Sequence, residues 1–491
     1  MLTGVTWRWC ERNVIRLQST ARTDGNETQF RKYSEADMFE PLLVINIAGL
    51  SINAIDSRTP RLAAFVEQGR GVAVQPPVPA LTSTSQATIL TGTVPSKHGI
   101  VSNGWYFRDL GLILNWQRSA RLVQGETLWE TVRRNDPDVK TANLFWRYAT
   151  HSTCELKITE RPTYWADGRK SEDVFAEPAS IRKELFEKHG VFPLFRFWGP
   201  VAGIESTKWI ADATIHVIQK REFGLILTYL PHLDYDHQRF GPNSPEGDKA
   251  LHDLDLQAGR LIDFAAVNGM RVAVVSDYAF EPVSRPIFLN RILREAGLVA
   301  VQDAENGELL EPGSSRAFAV CDQQIAHIYV NDVSQLERVE HLMRATDGVG
   351  QVLNREQMSE AGIAHDRAGE LLVVADQNCW FAYPYWLEDT GAPDFASCVA
   401  IHDKPGFDPT ELFMKPGLAG KLHVAKRFAQ KLVGQRAPFD VISTEATAVR
   451  GSHGRIPTGD ETRPVLLTSW KHDAEPVVPM ERVKSILVGN P

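Results

Sequence analysis

The sequence predicts a doubly wound α/β fold, and three observations predict it. Short apolar runs bounded by polar or turn residues recur along the chain, which is typical of buried strands in a mostly parallel sheet. Stretches with apolar residues at helical spacing separate these runs, so strands and helices alternate. The length of 491 residues leaves room for one large α/β domain with an insertion.

The apolar runs divide the chain into a core and an insertion. Strands are predicted at residues 42–47, 225–230, 272–275 and 371–374, and helices at 61–68, 207–219 and 250–266. After residue 300 the pattern changes to a strand at 326–330, a helix at 334–345 and a strand at 350–353. We therefore predict an N-terminal extension (1–39), a first core part (40–299), a small inserted α+β cap (300–385) and a second core part (386–491).

Composition limits the kinds of partner and the cellular location that the chain can have. The net charge is −8 and no dense run of Lys and Arg occurs, which argues against a nucleic-acid polymer. No apolar stretch reaches the ~20 residues needed to cross a bilayer, so no membrane partner is predicted. The five cysteines form no close pair, which favours a reducing, cytoplasmic location. Residues 1–39, rich in Arg and Ser/Thr, leave an organelle-targeting segment as the alternative, and the oligomeric state stays open.

Polar residues at the ends of the predicted strands are candidates for a site. Asn46 lies near the end of the first predicted strand, and Asp277 follows the third. Asp234 and His237 follow the second. The carboxyl ends of parallel strands meet at one edge of the sheet, where ligands bind in open α/β folds. Each residue alone fits a helix or turn cap equally well, but three clusters together favour a site.

A Thr/Ser-rich segment at residues 79–92 predicts a loop followed by a helix that ends at Gly92. Thr82 lies at the predicted helix start and Ser85 one turn later. Backbone N–H groups at a helix start bind phosphate, and a hydroxyl beside them can attack phosphorus when it is activated. A simple helix cap is the alternative reading of this segment alone.

The spacing of motifs after this segment resembles one protein family. Thr82 precedes the Thr of Thr91-Gly92 by nine residues, and Pro95, His98-Gly99-Ile100 and Asn103 follow. Asp234 stands seven residues before Gly241-Pro242, Asp277 lies in Ser-Asp-Tyr, and His453 lies in Gly-Ser-His-Gly. In this order and spacing the chain resembles the type I phosphodiesterase/nucleotide pyrophosphatase family of the alkaline-phosphatase-like superfamily. The resemblance covers roughly residues 41–460.

The resemblance implies a site with two zinc ions held by six side chains, and this chain departs from it at three positions. The family's first Asp is Ala48 here, and two of its His ligands are Gln238 and Tyr278. Asp234, Asp277 and His453 keep the family's residue types. Substitute ligands are sought among neighbouring residues, namely Asn46, His237 and Gln238 as metal ligands, with Asp236, His232 and His402 as further candidates.

These departures change the expected metal content. Oxygen-rich substitution favours Mg²⁺ or Mn²⁺ over zinc, although either class of divalent ion is compatible with the retained residues. The losses at Ala48 and Tyr278 fall mainly on the Asp277 half of the site. We therefore predict one firmly held ion on the half that contains Asp234 and His453, and a second that is loose or absent.

The function implied by the resemblance is metal-dependent hydrolysis of a phosphodiester or pyrophosphate through a phosphothreonine at Thr82. Ser85, Asn103 and Tyr278 are the predicted substrate-binding residues, and the substrate is a small phosphorylated metabolite or nucleotide. One alternative is hydrolysis of a phosphomonoester or phosphonate. The other is a catalytically inactive relative that binds a phosphorylated ligand.

Overall fold

The computed structural model of the chain describes residues 39–167, 169–433, 439–459 and 462–489. The predicted N-terminal extension, except for Phe39, and its alternative as a targeting segment lie outside these residues. The predicted boundaries between core and cap stay predictions.

Twenty-three strands are present in the described residues. The first twelve are β1 (Leu42–Ile47), β2 (Arg70–Gln75), β3 (Gly104–Phe107), β4 (Leu112–Asn115), β5 (Thr141–Leu144), β6 (Leu156–Glu160), β7 (Thr163–Tyr164), β8 (Lys170–Ser171), β9 (Val174–Glu177), β10 (Leu225–Leu230), β11 (Arg271–Val275) and β12 (Glu281–Pro282). The others are β13 (Arg285–Ile287), β14 (Val301–Ala304), β15 (Gly307–Leu310), β16 (Ala317–Asp322), β17 (Ile325–Val330), β18 (Val349–Leu353), β19 (Leu371–Ala375), β20 (Cys379–Phe381), β21 (Gly451–Ser452), β22 (Val465–Thr468) and β23 (Val477–Pro479).

The same part of the chain contains thirteen α-helices. They are α1 (Pro60–Gln68), α2 (Thr82–Thr91), α3 (Pro95–His98), α4 (Leu128–Asn135), α5 (Ala179–His189), α6 (Ile204–Gln219), α7 (His232–Phe240), α8 (Pro245–Val267), α9 (Leu289–Glu295), α10 (Leu336–Ala345), α11 (Arg355–Glu360), α12 (Gly417–Leu432) and α13 (Val483–Leu487).

A nine-stranded, mostly parallel sheet forms the centre of the fold, in the order β23-β2-β22-β11-β1-β10-β5-β6-β9. Strands β11, β1, β10, β5 and β6 are mutually parallel, whereas β22 and β9 are antiparallel to their neighbours. Asn46 of β1 pairs in register with Tyr229 of β10 and with Val275 of β11. The ends of these three central strands are therefore level, and the residues that follow them share one edge.

The predicted α/β class is confirmed, and most predicted elements lie within a few residues of the observed ones. Strands β1, β10 and β11 are fully or almost fully buried, which explains their continuous apolar sequences. The prediction for residues 371–374 is wrong in one respect. This run forms β19, which belongs to a separate antiparallel sheet, because a short apolar run does not specify which sheet it joins.

That second sheet has four strands in the order β16-β17-β19-β18, and both of its faces are covered. Along β16, Ala317 and Ala319 pack into one apolar cluster with α9 and α10. Phe318 and Val320 point the other way, into a cluster with residues of α2 and β3. Successive side chains of a strand alternate between faces, so this strand connects the inserted sheet to the helix that starts at Thr82. No helix of the described residues is long and apolar enough to cross a membrane.

A close backbone approach at the end of α1 gives a test of the sheet packing. A Cβ atom added to Gly69 would lie 1.8 Å from the Thr468 carbonyl oxygen of β22, and a backbone atom cannot rotate away. We expect Gly69→Ala to lower the free energy of unfolding by about 1–3 kcal/mol or more. Gly313→Ala is the control, because its Cβ would meet only the Tyr106 hydroxyl at 3.8 Å. Equal urea-unfolding midpoints for the two variants would contradict this packing.

Candidate active site

Helix α2 begins at Thr82, and all ten of its residues are buried. The preceding residue, Leu81, is extended and provides no side-chain cap. The Ser83 amide instead donates to the Asn103 side-chain oxygen at 2.9 Å. Thr82 is 5% exposed, so its hydroxyl lies at the positive end of a buried helix.

Asp234, 152 residues after Thr82 in the sequence, is related to Thr82 through Tyr278. The Tyr278 hydroxyl donates to Asp234 Oδ1 at 2.8 Å, and Gln238 Nε2 donates to Asp234 Oδ2 at 2.9 Å. The Thr82 side chain also interacts with the Tyr278 hydroxyl and lowers its pKa, against the larger upward shift that burial causes. Since the one proton of Tyr278 is directed to Asp234, the Thr82 hydroxyl is the group that can donate between these two side chains. Burial raises the pKa of Asp234 to about 6, while these donors oppose the shift.

Asp277 follows β11, and its carboxylate accepts a second, separate set of hydrogen bonds. Its Oδ2 accepts long hydrogen bonds from Asn46 Nδ2 at 3.4 Å and from Gln86 Nε2 at 3.5 Å. Its Oδ1 accepts from the Gly49 amide at 3.4 Å, where Gly49 adopts a positive φ of 71°. Burial raises the pKa of Asp277 to about 7, and the nearby Asp234 charge adds to the shift. A buried carboxylate, Asp277, and a partly buried one, Asp234, thus share this edge with neutral donors around them.

His453 covers Tyr278. The two rings are stacked with centroids 3.5 Å apart and planes 3° from parallel. His453 Nδ1 lies 2.9 Å from the Ala80 carbonyl oxygen, and burial lowers the pKa of His453 to about 3. A neutral ring that donates from Nδ1 carries its lone pair on Nε2.

The structure brings most of the predicted site residues together in two groups and leaves others apart. Thr82, Tyr278, Asp234, Gln238 and His453 form one group, and Asp277 with Asn46 forms the second. The two groups are close enough for the Asp234 charge to raise the pKa of Asp277. The His237 ring faces Phe280 at 5.3 Å instead, and its pKa is lowered to about 3, first by burial and then by the charges of His232 and Arg58. The Ser85 hydroxyl is buried without a hydrogen-bond partner among the described residues. Asp236 pairs with Arg239 at 3.0 Å, and His402 contacts the Asn115 carbonyl oxygen.

Several residues of the site were not predicted. Gln86 lies four residues after Thr82, and this helical spacing was the signal that could have identified it. Tyr229 is buried at the end of β10, where the charges of Asp277 and Asp234 help burial to raise its pKa. Gln323 of the β16–β17 turn donates to Gln238 Oε1 at 3.4 Å and accepts from Ser452 at 2.6 Å. No local sequence pattern indicates that this turn reaches the site.

Asp322, also missed, holds Asn103 in place from the inserted sheet. Its Oδ2 accepts from the Ser102 hydroxyl at 2.8 Å and from the Asn103 amide at 3.1 Å. Its Oδ1 accepts from Asn103 Nδ2 at 3.3 Å. Because the Asn103 amide nitrogen faces Asp322, its oxygen faces the first turn of α2. Burial raises the pKa of Asp322 to about 6.

The donor set does not fit the two-ion centre that the family resemblance implies. The described residues contain no group of three or more His, Cys, Asp and Glu side chains placed to hold one ion. Each oxygen of Asp234 already accepts a hydrogen bond, and the donors are the residues that replace the family's His ligands, Tyr278 and Gln238. An ion at Asp234 would have to displace them. The single ion predicted there stays a prediction.

Similarity to known proteins supports one family. A family model described as type I phosphodiesterase / nucleotide pyrophosphatase matches residues 42–408. An uncharacterized pyrophosphatase/phosphodiesterase from Schizosaccharomyces pombe is 26% identical over 262 residues, which is 50% of this chain and 46% of that protein. The chain thus matches less than half of that relative's length.

Solved structures share the fold. Phosphonoacetate hydrolase from Sinorhizobium meliloti 1021, in complex with phosphonoformate, has a TM-score of 0.57 at 14% identity, over 92% of this chain and 96% of that one. Murine ectonucleotide pyrophosphatase/phosphodiesterase 5 has a TM-score of 0.55 at 15% identity, over 91% and 94%. An inactive variant of the murine protein in complex with AMP has a TM-score of 0.54 at 15% identity, over 92% and 94%. At these identities the likeness shows the fold alone.

The burial of Asp322 predicts a pH dependence of stability. A raised folded-state pKa means that the folded state binds more protons than the unfolded state between the ordinary value of 3.8 and about 6. Stability from this group is therefore lost as pH rises through that window. Between pH 4 and pH 7 we expect the free energy of unfolding of wild type to fall by roughly 2–3 kcal/mol more than that of Asp322→Asn. Urea unfolding at each pH measures this, with exposed Asp303→Asn as a control that follows wild type. Parallel curves for wild type and Asp322→Asn would show that Asp322 is not protonated on folding.

Proposed function

Because the chain belongs to the type I phosphodiesterase/nucleotide pyrophosphatase family, as its motif spacing predicted, we propose that it hydrolyses a phosphoester-type bond of a small phosphorylated metabolite or nucleotide. Thr82 is the attacking group in this proposal. The matched region includes Thr82, Asp234 and Asp277. The assays below distinguish diester, pyrophosphate, monoester and phosphonate substrates.

One observation carries the proposal: the Tyr278 hydroxyl donates to Asp234 Oδ1 at 2.8 Å and also interacts with the Thr82 side chain, so it lies between the two groups. A threonine hydroxyl is a weak nucleophile unless a base removes its proton. Asp234 is a partly buried carboxylate with a raised pKa, which makes it a better proton acceptor than a fully exposed one. Tyr278 connects the two groups, and burial raises the pKa of Tyr278 well above its ordinary value, so it conducts a proton without staying ionised.

The reaction then proceeds in two displacements at phosphorus. In the first, Thr82 Oγ1 forms a bond to phosphorus as the bond to the leaving oxygen breaks. The Thr82 proton passes to the Tyr278 oxygen, the Tyr278 proton passes to Asp234, and the departing oxygen recovers a proton from Asp234. In the second, water attacks the phosphothreonine as the bond to Thr82 Oγ1 breaks, and the relay runs in reverse. The water proton passes to Asp234, a proton from Asp234 passes to Tyr278, and the Tyr278 proton passes to the departing Thr82 oxygen. The first turn of α2 provides the positive end of a helix dipole beside the phosphoryl oxygens.

No step of this scheme is assigned to a divalent ion, because the donors present do not fit the implied centre. Divalent ions are the usual source of positive charge for phosphoryl transfer. If one ion binds, Asp234 and His453 Nε2 would hold it, and zinc, manganese or magnesium is the class to test. Without it, neutral donors alone face the phosphoryl group, and we expect slow turnover.

The nucleophile is tested by substitution at Thr82. Thr82→Ala should lower kcat by several orders of magnitude, whereas Thr82→Ser should keep part of it because the hydroxyl survives. Thr84→Ser, two residues along the same buried helix, is the matched control and should remain active. Activity is measured with p-nitrophenyl phosphate, bis-p-nitrophenyl phosphate, the p-nitrophenyl ester of thymidine monophosphate and a phosphonate. Wild-type activity in Thr82→Ala would exclude Thr82, and AMP binding without turnover of any substrate would identify an inactive binding relative.

The relay is tested at Tyr278. Tyr278→Phe keeps the ring stacked on His453 but removes the hydroxyl that joins Thr82 to Asp234. We expect kcat to fall about 10²- to 10⁴-fold with little change in KM. Elemental analysis of both proteins is the companion measurement. Substoichiometric metal in each protein supports the relay, whereas one ion per wild-type chain supports the single-ion prediction instead. Unchanged kcat in Tyr278→Phe, or turnover in wild type that is abolished by a chelator and restored by zinc, would refute the relay.

A further inference from the structure

Helix α12 exposes an apolar stripe to solvent. The residues at positions 418, 422, 425, 429 and 433 follow helical spacing, and all of them are apolar and exposed. Leu418 is 74% exposed, Leu422 is 62% exposed and Val433, just after the helix, is 73% exposed. Helices of globular proteins normally bury such a stripe against the core. In α12 the apolar stripe faces solvent instead.

Lysines flank the stripe on both sides. At 100° per residue, Lys421 lies on one side of the Leu418–Leu422 line and Lys426 on the other. Both lysines are exposed, and neither forms an ion pair with the acids of the described chain. From residue 412 to 439 the sequence has six Lys and Arg residues and no Asp or Glu, although the whole chain carries a net charge of −8. The exposed face is locally cationic on an anionic protein.

Polar contacts hold the opposite side of the helix to the protein. Arg427 donates to both oxygens of Asp440 at 2.7 and 2.8 Å, and His423 lies 3.1 Å from the same carboxylate. Gly420 is buried, and a Cβ there would meet the Lys415 carbonyl oxygen at 2.2 Å. These contacts fix which face points outward, so the apolar stripe is a stable feature of the surface.

We propose that α12 is a docking surface for an anionic phospholipid membrane. A helix that lies in the membrane interface buries an apolar stripe at the acyl boundary and directs flanking lysines to the headgroups, which matches the arrangement of Leu418, Leu422, Lys421 and Lys426. A second copy of the chain would not complement the surface, because a two-fold pairing of the stripe brings the same lysines together. The proposal does not depend on the chemistry at Thr82. It departs from the prediction of no membrane partner, because that prediction considered only runs long enough to cross a bilayer and a surface-lying helix needs no such run.

Vesicle cosedimentation tests the proposal with the full-length protein. We expect binding to vesicles of phosphatidylcholine mixed with phosphatidylserine, weaker binding at high salt, and little binding to phosphatidylcholine alone. Lys421→Gln with Lys426→Gln should weaken binding about 25-fold, since each lysine near an anionic surface contributes about fivefold. Leu418→Gln with Leu422→Gln should weaken it at least about tenfold, because the polar side chains no longer enter the interface.

Two double variants elsewhere serve as matched controls. Leu110→Gln with Leu112→Gln changes leucines that are 61% and 52% exposed, and Lys183→Gln with Lys208→Gln changes exposed lysines on α5 and α6. Both should bind vesicles as wild type does, and thermal unfolding should show that all variants fold. Failure of wild type to bind anionic vesicles, or equal binding by the Leu418/Leu422 variant, would overturn the proposal. A concentration-dependent dimer that this variant abolishes, without vesicle binding, would assign the stripe to a second copy and overturn it as well.

Discussion

Asp277 is buried and Asp234 is partly buried at the carboxyl edge of the central sheet, and a carboxylate removed from water is stable only with hydrogen-bond donors or a positive charge beside it. The rest of the site follows from this constraint. Asp234 receives one donor on each oxygen, from Tyr278 and Gln238. Asp277 receives only longer contacts, and its pKa is raised further, to about 7 compared with about 6 for Asp234.

The three departures from the family's ligand pattern form a consistent set in these terms. Ala48 is fully buried, so its replacement of an Asp removes one negative charge from an edge that already holds two. The replacements of two His ligands by Tyr278 and Gln238 add neutral donors that face Asp234. Three carboxylates and the family's His ligands would require cations, whereas two carboxylates can be satisfied by hydroxyl and amide groups. Together the three substitutions lower the negative charge at this edge and add the neutral donors that the remaining carboxylates need.

The four-stranded sheet contributes residues that hold side chains of the site in place. Asp322 fixes the orientation of Asn103 at the start of α2, and Gln323 connects Gln238 to Ser452. The Gln324 amide donates to the His453 carbonyl oxygen at 2.8 Å, which attaches the β16–β17 turn to the segment that carries the stacked imidazole. A movement of this turn would therefore change the partners of Asn103, Gln238 and His453 at once.

The sequence by itself determined the α/β class, the three central strands and the family, and it predicted Thr82, Asp234, Asp277 and His453 as residues of one site. These features depend on spacing along one element or on the order of motifs, and spacing is visible in a linear sequence. The tertiary structure alone decided that Tyr278 and Gln238 both donate to Asp234, that His237 turns toward Phe280, and that Asp322 reaches Asn103. It also decided which face of α12 points to solvent, because helical periodicity defines a stripe but not its direction. Tyr278 is 44 residues from Asp234 in the chain and Asp322 is 219 residues from Asn103, and contacts over such separations are set by the packing of whole elements, which no local pattern encodes.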